Sequence, residues 1–516
     1  MASAPPAPQH YALSPARHAM VTAGVIMGML MQVLDTTIAN VALPHMRANL
    51  GATPETISWV LTSYIVASAI AIPITGWLAD RVGRKPLFIW SVIVFTAASL
   101  LCAIAQNLTE MVAFRAVQGV AGAFIVPLAQ STLFDINPRE KHGQAMAIFG
   151  AGVMIGPILG PVLGGWLTDS YNWRWVFLIN LPIGASAALL MARGMPAIPK
   201  VLRRFDLMGF AFLGLALASL QLMLDRGEQN DWFSSWETLI EAGLAIAGLW
   251  MFAVHMATTR HPLFDRGMFA DRNFATGLLF MAVMGLMLFA GLALLPTLLQ
   301  GLFGYSVLQS GFLTAPRGVG TLVSMILVGR IVQKVDARLL VFGGLSLMAL
   351  SLWQMSGFSL AMDSRPVILS GFVQGLALGL IFVPLNTVAF GTLEARFRTT
   401  AAALFNLSRS IGGSIGISIM TVLLARNLQV SHSDLAQHIT QYSLPPIDPA
   451  LTQGAPPITQ SVLAAMDAEI NRQALMIAYI DDFHLMMIVS LCAIPLLLLL
   501  RKKRKDDDDD QPPPME

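Results

Sequence analysis

Asp35 and Arg115 are charged side chains set inside long apolar stretches, and their positions give them a common depth. Asp35 lies nine residues before Pro44, roughly 14 Å from that end of a helix at about 1.5 Å per residue. Arg115 lies about seven residues, or roughly 10 Å, into a helix entered from the same side. A charged group at a bilayer centre costs about 2.5–3.5 kcal/mol on insertion scales, so each needs a reason. Proton handling is a reason the two could share. Burial favours a neutral carboxyl, whereas a neighbouring guanidinium favours the carboxylate. A movement that changed their separation or hydration would load and unload a proton at Asp35, tuned by Arg115, or let Asp35 sense a cationic ligand. A permanent structural pair is the competing reading. Gln118 follows Arg115 by one turn, and Asn40 follows Asp35 along its own stretch. Arg409, in the run Asn406 to Gly413 (NLSRSIGG), and Arg317 are further charges inside apolar stretches. Asp481, Asp482 and His484 open the last stretch, where an interfacial position is expected.

The elements that must hold these groups are membrane helices. The chain of 516 residues is 55% hydrophobic and 12% charged, with a mean hydropathy of +0.65. A soluble domain carries about 25% charged residues. Apolar stretches long enough to span recur near 20–44, 56–79, 87–106, 108–134, 143–168, 173–192, 207–224, 237–257, 274–300, 310–333, 339–360, 366–393, 399–425 and 474–500. An all-α integral membrane protein of fourteen transmembrane helices follows. With the N-terminus inside, Lys and Arg number 23 in the inner segments and 6 in the outer ones. That imbalance sets both termini in the cytoplasm. The first stretch is too long for a cleaved signal and is expected to be retained.

Other chemistries find no footing. Cys102 and Cys492 cannot build a disulfide framework or a metal site, and the nine histidines show no ligand spacing. A net charge of +2 gives no case for nucleic acid. No nucleophile with a base and no phosphate-cradling loop is present, so neither an enzyme nor an ATP-driven pump is indicated, and no cofactor is implied. Methionines and phenylalanines, 29 and 27 of them, face lipid or core, with a subset available for an adaptable apolar pocket.

The chain repeats itself. Val117-Gln118-Gly119 matches Val373-Gln374-Gly375, Ile155-Gly156 matches Ile411-Gly412, and Gly160 matches Gly416, all at an offset near 256. Asp35 and Arg115 fall opposite Gly291 and Gly371, an asymmetry expected of a working site more than of scaffold. Repeated halves with a site between them near the midplane are a common transporter design. The expected organisation is a tail 1–19, a six-helix half 20–192, a linker 193–273 with an inserted two-helix hairpin, a second six-helix half 274–500 and a charged tail 501–516. The segment 427–473 is the one sizeable outer loop, and the tail has no means of burying surface.

Five runs carry a resemblance. The run Gly76 to Pro86 (GWLADRVGRKP) brings Gly76 and Gly83 to a close helix approach, Asp80 toward a helix N-terminus, and Arg81, Arg84 and Lys85 toward the cytoplasm. It resembles the signature loop of the major facilitator superfamily. Gly152, Gly156, Gly160 and Gly164 stand four apart, with Gly165, Pro157 and Pro161 among them. They let helices approach closely and are similar to the superfamily's antiporter motif; a plain packing face is the bland alternative. Leu34 to Pro44 (LDTTIANVALP) and Asn172 to Pro182 (NWRWVFLINLP) resemble motifs of its fourteen-helix drug:proton antiporter branch. The run Arg115 to Gly119 resembles its proton-relay motif. The match covers about 20–500 and looks most like the EmrB-type multidrug exporters; the second-half loop Gly329 to Arg338 departs from it by being degenerate.

That resemblance implies two six-helix pseudo-repeats plus an inserted hairpin, and proton-driven efflux of hydrophobic or cationic drugs across a bacterial inner membrane by alternating access. It implies amphipathic small molecules, protons and membrane lipid as partners, with a periplasmic adaptor and an outer-membrane channel completing the route. An uptake symporter or an exporter of one metabolite on the same fold is the alternative, and the Gly/Pro face favours exchange.

Overall fold

A backbone in hydrocarbon must satisfy its own N–H and C=O groups, and helices do so within one segment. The computed structural model describes residues 13–53, 56–197, 200–201, 204–438 and 460–500, and among these it holds helices and no strand. Fourteen helices are long and apolar enough to span a membrane. They are α1 (Pro15–Asn49), α2 (Trp59–Val82), α3 (Arg84–Ile104), α4 (Leu108–Ile136), α5 (Arg139–Ser170), α6 (Trp175–Gly194), α7 (Leu207–Arg226), α8 (Trp236–Thr258), α9 (Arg272–Leu302), α10 (Val307–Ile331), α11 (Ala337–Ser356), α12 (Arg365–Gly391), α13 (Ala395–Ala436) and α14 (Leu463–Leu499). Local sequence sets several starts. Asn107 caps α4 by accepting from the Glu110 N–H at 2.9 Å, and Ser306 with Gln309 forms a capping box on α10.

Some ends differ from the sequence expectation. α1 starts at Pro15 rather than near 20, because proline at the first helical position needs no N–H partner. α13 continues to Ala436, and the helix that carries the α14 span already starts at Gln460, ahead of it, so both ends of the expected loop 427–473 are helical. Polar residues there wind on as helix beyond the apolar span, which a search for apolar stretches does not register. The rest of that loop, the first twelve residues and the tail 501–516 lie outside the described residues.

α1 to α6 pack together as one bundle and α9 to α14 as another, with the α7–α8 hairpin against the first. The bundles meet along α5 and α10: Gly311 lies under Val162, and Gly329 under Ala147. They are tied most closely at the end carrying the basic α2–α3 and α4–α5 turns, here the basic end. There Arg398 of α13 binds Asp135 of α4 at 3.0 Å, and Thr400 sits on Gly76. Deeper in, Gln130 donates to Asn386 at 2.6 Å. These two positions lie 256 apart, so equivalent sites of the repeat touch each other where the halves meet. Toward the opposite end α7 takes over the joint. Gln221 donates to Ser414 at 2.8 Å, Ser418 to the Leu224 carbonyl at 2.7 Å, and Thr62 of α2 bonds Asp225.

Candidate functional site

Four helices converge on Asp35. Arg115 Nη1 of α4 donates to Oδ2 at 2.6 Å, Gln118 Nε2 to Oδ1 at 3.0 Å, and Asn180 Nδ2 of α6 to Oδ1 at 2.8 Å. Asn180 also donates to Ser99 of α3, whose hydroxyl donates to the Phe177 carbonyl. Arg115 Nε donates to the Val60 carbonyl of α2 at 3.1 Å, Nη1 also reaches Gln118 Oε1 at 2.7 Å, and the guanidinium lies over the Tyr64 ring at 4.4 Å. A carboxylate taking three donors is the ionised acceptor its lone pairs suit. Asp35, Arg115, Gln118 and Ser99 are all fully buried. The network is therefore sealed inside the first half, not opened to a space between the halves. Its seal depends on glycine: a Cβ on Gly122 would press on the Tyr64 hydroxyl, and one on Gly119 would enter the α2 backbone.

The other face of the same stretch of α1 meets the small-residue motif of α5. Gly152 lies against Met29, Gly156 against Val33, Gly160 against Thr37 and Gly164 against Ile38. Thr37 also donates to the Gly156 carbonyl at 3.2 Å. Glycines four apart let α5 lie against α1, with Val33 and Thr37 bracketing Asp35. Gly165 faces Val307 of α10, and Pro157 and Pro161 lie inside the helix.

At the basic end the signature loop makes an ion-pair triad. Arg84 and Arg398 both bind Asp135. The sequence expectation set Arg84 toward the cytoplasm; it lies at the basic end but is buried there, because Asp135 on α4 offers it a partner. Arg81 is exposed and lies over Trp77 at 5.5 Å, and Lys85 is partly exposed. Gly83 adopts a φ of 102°, which only glycine takes without strain, and lets α2 end and α3 begin within one residue. The Asp80 carbonyl accepts from the Val201 N–H at 2.9 Å.

The comparisons with known proteins agree with this architecture. The sequence pattern of the Major Facilitator Superfamily matches residues 25–417. The chain belongs to the major facilitator superfamily. It is 36% identical over 439 residues to the multidrug export protein EmrB of Escherichia coli (strain K12), covering 84% of this chain and 86% of that protein. It is 38% identical over 427 residues to EmrB of Haemophilus influenzae, covering 82% and 84%. The fatty acid resistance protein FarB of Neisseria gonorrhoeae is 36% identical over 428 residues, covering 82% and 84%. Among solved structures, the human organic anion transporter MFSD10 (TETRAN) aligns with a TM-score of 0.61 at 16% identity, over 94% of this chain and all of that one. That likeness speaks for the fold. The protein is thus a multi-pass membrane transporter of the superfamily.

Within the superfamily fold, the residues singled out by sequence separate into groups. Asp35, Arg115 and Gln118 come together. Asn40 stands on an exposed face of α1, outside that network. Arg409 lies in the other half, where its Nη2 donates to Asn406 at 3.1 Å and Asn406 donates to Gln130 at 3.2 Å. It joins the chain of amides between the halves, not the Asp35 site. Asp481 and His484 are exposed, whereas Asp482 is buried at 1% exposure and neither carboxyl oxygen has a hydrogen-bond partner among the described residues. Asp482 thus lies on the packed face of α14, and its sequence neighbours Asp481 and His484 lie on the exposed one. Sequence reasoning passed over Asn180, Ser99, Tyr64 and Asp135. Asn180 was within reach: it is the lone uncharged amide inside the apolar part of the run Asn172 to Pro182. Among the described residues no group of three His, Cys, Asp or Glu is placed to hold a metal.

Proposed function

We propose that this transporter exports hydrophobic drugs and other toxic amphipathic compounds across a bacterial inner membrane in exchange for protons, with both termini in the cytoplasm. The relatives named for multidrug export and fatty acid resistance, each covering more than four-fifths of this chain, support the efflux reading. The observation that carries proton exchange is the buried carboxylate of Asp35, bound by donors from α4 and α6. On this reading the basic end faces the cytoplasm, and the ties there describe a state shut on that side. Protonating Asp35 removes its charge and turns an acceptor oxygen into a donor, so Arg115 and Asn180 lose their common anchor. α1, α4 and α6 are then free to shift against each other. Arg115 keeps the Val60 carbonyl and Gln118, so its charge is not left bare. α5, laid against α1 by its glycines, transmits the shift to α10 and the other half. A periplasmic adaptor and an outer-membrane channel would carry the released compound onward.

Efflux is tested in cells with and without the chain, loaded with a fluorescent hydrophobic dye. The chain should lower dye accumulation, and a protonophore should restore it. Equal accumulation in both strains across a panel of dyes would sink the reading.

A further inference from the structure

The second half rebuilds the first half's buried site with one component missing. At the repeat offset, Asp35 maps to Gly291, Arg115 to Gly371 and Gln118 to Gln374. A guanidinium nevertheless occupies the place, supplied by Arg317 of α10. A Cβ added at Gly291 would lie 3.3 Å from Arg317 Nη1 and 3.7 Å from Gln374 Nε2. One added at Gly371 would find nothing nearer than Arg317 Cβ at 3.8 Å. Arg317 is 6% exposed and Gln374 1%. Among the described residues Arg317 forms no ion pair, and the one hydrogen bond of its guanidinium is a long contact of 3.4 Å to the Leu288 carbonyl. Gln374 Oε1 has no partner among the described residues.

A buried guanidinium without an anion is costly, and its surroundings need explaining. The first half gives its guanidinium and amide a carboxylate to share; the second gives them glycine. Met284, Met287 and Leu288 lie one and two turns before Gly291 on the same face of α9, buried and adaptable in shape. An anionic group brought beside Gly291 would meet two N–H donor groups, the Arg317 guanidinium and the Gln374 amide, and an attached apolar body would meet those side chains.

We propose that Arg317 and Gln374 receive the carboxylate, or an equivalent anionic group, of the exported molecule, which takes at Gly291 the place Asp35 holds in the first half. This deepens the efflux reading and rests on it. It also narrows the substrate class from hydrophobic or cationic drugs to amphipathic anions, since Arg317 repels a cation where it attracts a carboxylate. Arg317 is then the residue that sets the sign of the charge carried.

The full-length chain in detergent is titrated with an anthroyloxy-labelled stearate, a fluorescent carboxylate, and with its methyl ester. The carboxylate should bind about tenfold tighter or more, the worth of hydrogen bonds to a charged group. Arg317→Gln should erase the difference, Arg317→Lys should keep part of it, and Gly291→Asp should erase it by supplying an internal carboxylate. Thermal melting selects the folded variants. Equal binding of acid and ester by the unaltered protein overturns the proposal. So does a preference that survives in a folded Arg317→Gln or Gly291→Asp protein. Acetate displacing the probe as well as long-chain acids do would make the occupant a small resident ion, and would also overturn it. Transport in proteoliposomes separates the two readings. If the unaltered protein moves neither the labelled acid nor the cationic dye ethidium, efflux itself fails; if it moves ethidium and shows no preference for the acid, only the Arg317 assignment fails.

Discussion

At the residue scale the network around Asp35 behaves as a unit whose members differ in how replaceable they are. Arg115→Ala leaves a buried carboxylate without its countercharge, and should lower stability by about 3–5 kcal/mol. Asn180→Ala removes one neutral donor and should cost about 1–3 kcal/mol. Denaturation of the purified protein measures both, and a smaller loss for Arg115→Ala than for Asn180→Ala would contradict the arrangement. Asp482 makes the opposite case. Its buried oxygens have no partner among the described residues, so Asp482→Leu removes an unsatisfied polar group and should raise the melting temperature, by a stabilisation of about 1–3 kcal/mol. A fall would mean that the carboxyl has work in the cycle. The Asp35–Arg115 pairing could be anticipated because charge in an apolar stretch is conspicuous and depth is countable at a fixed rise per residue. Asn180 could not be assigned a role in the same way, since an amide in a helix draws no such penalty and its partners come from two other helices, α1 and α3.

At the element scale the fourteen spans were legible because hydropathy is a one-dimensional property, and composition alone carries it. The ends of α13 and α14 were not, since helix outside hydrocarbon need not be apolar. The glycine spacing of α5 announced a close approach but not its target. That target is α1, against the residues bracketing Asp35. Gly160 sits under Thr37, with the Thr37 Cβ only 2.6 Å from where a side chain would begin. Gly160→Leu should therefore separate the helices, cost about 1–3 kcal/mol by overpacking and abolish transport. Transport at the normal rate by this variant would show that the contact is not needed.

At the scale of the whole molecule, the repeat offset gave the two halves, while their joint had to be seen in three dimensions. Asp135 pairs with Arg398 across the halves, although its own repeat mate is Gly391 and that of Arg398 is His142, so symmetry could not have suggested the pair. The joint at the basic end must open in each cycle if access alternates. Cysteines at Ala147 and Gly329, whose Cβ positions lie 2.8 Å apart, should cross-link in a Cys492→Ser background and arrest transport until a reductant is added. Full transport with the bond intact would mean that this end stays shut throughout.

The most direct trial of proton exchange uses proteoliposomes holding either the unaltered protein or Asp35→Asn, and a substrate established by the efflux assay. The unaltered protein should accumulate substrate against its gradient when a pH difference is imposed. Asp35→Asn should lose that response while still exchanging labelled for unlabelled substrate across the membrane, since binding and alternation remain. Uphill, pH-driven accumulation by the Asp35→Asn protein would contradict the mechanism outright.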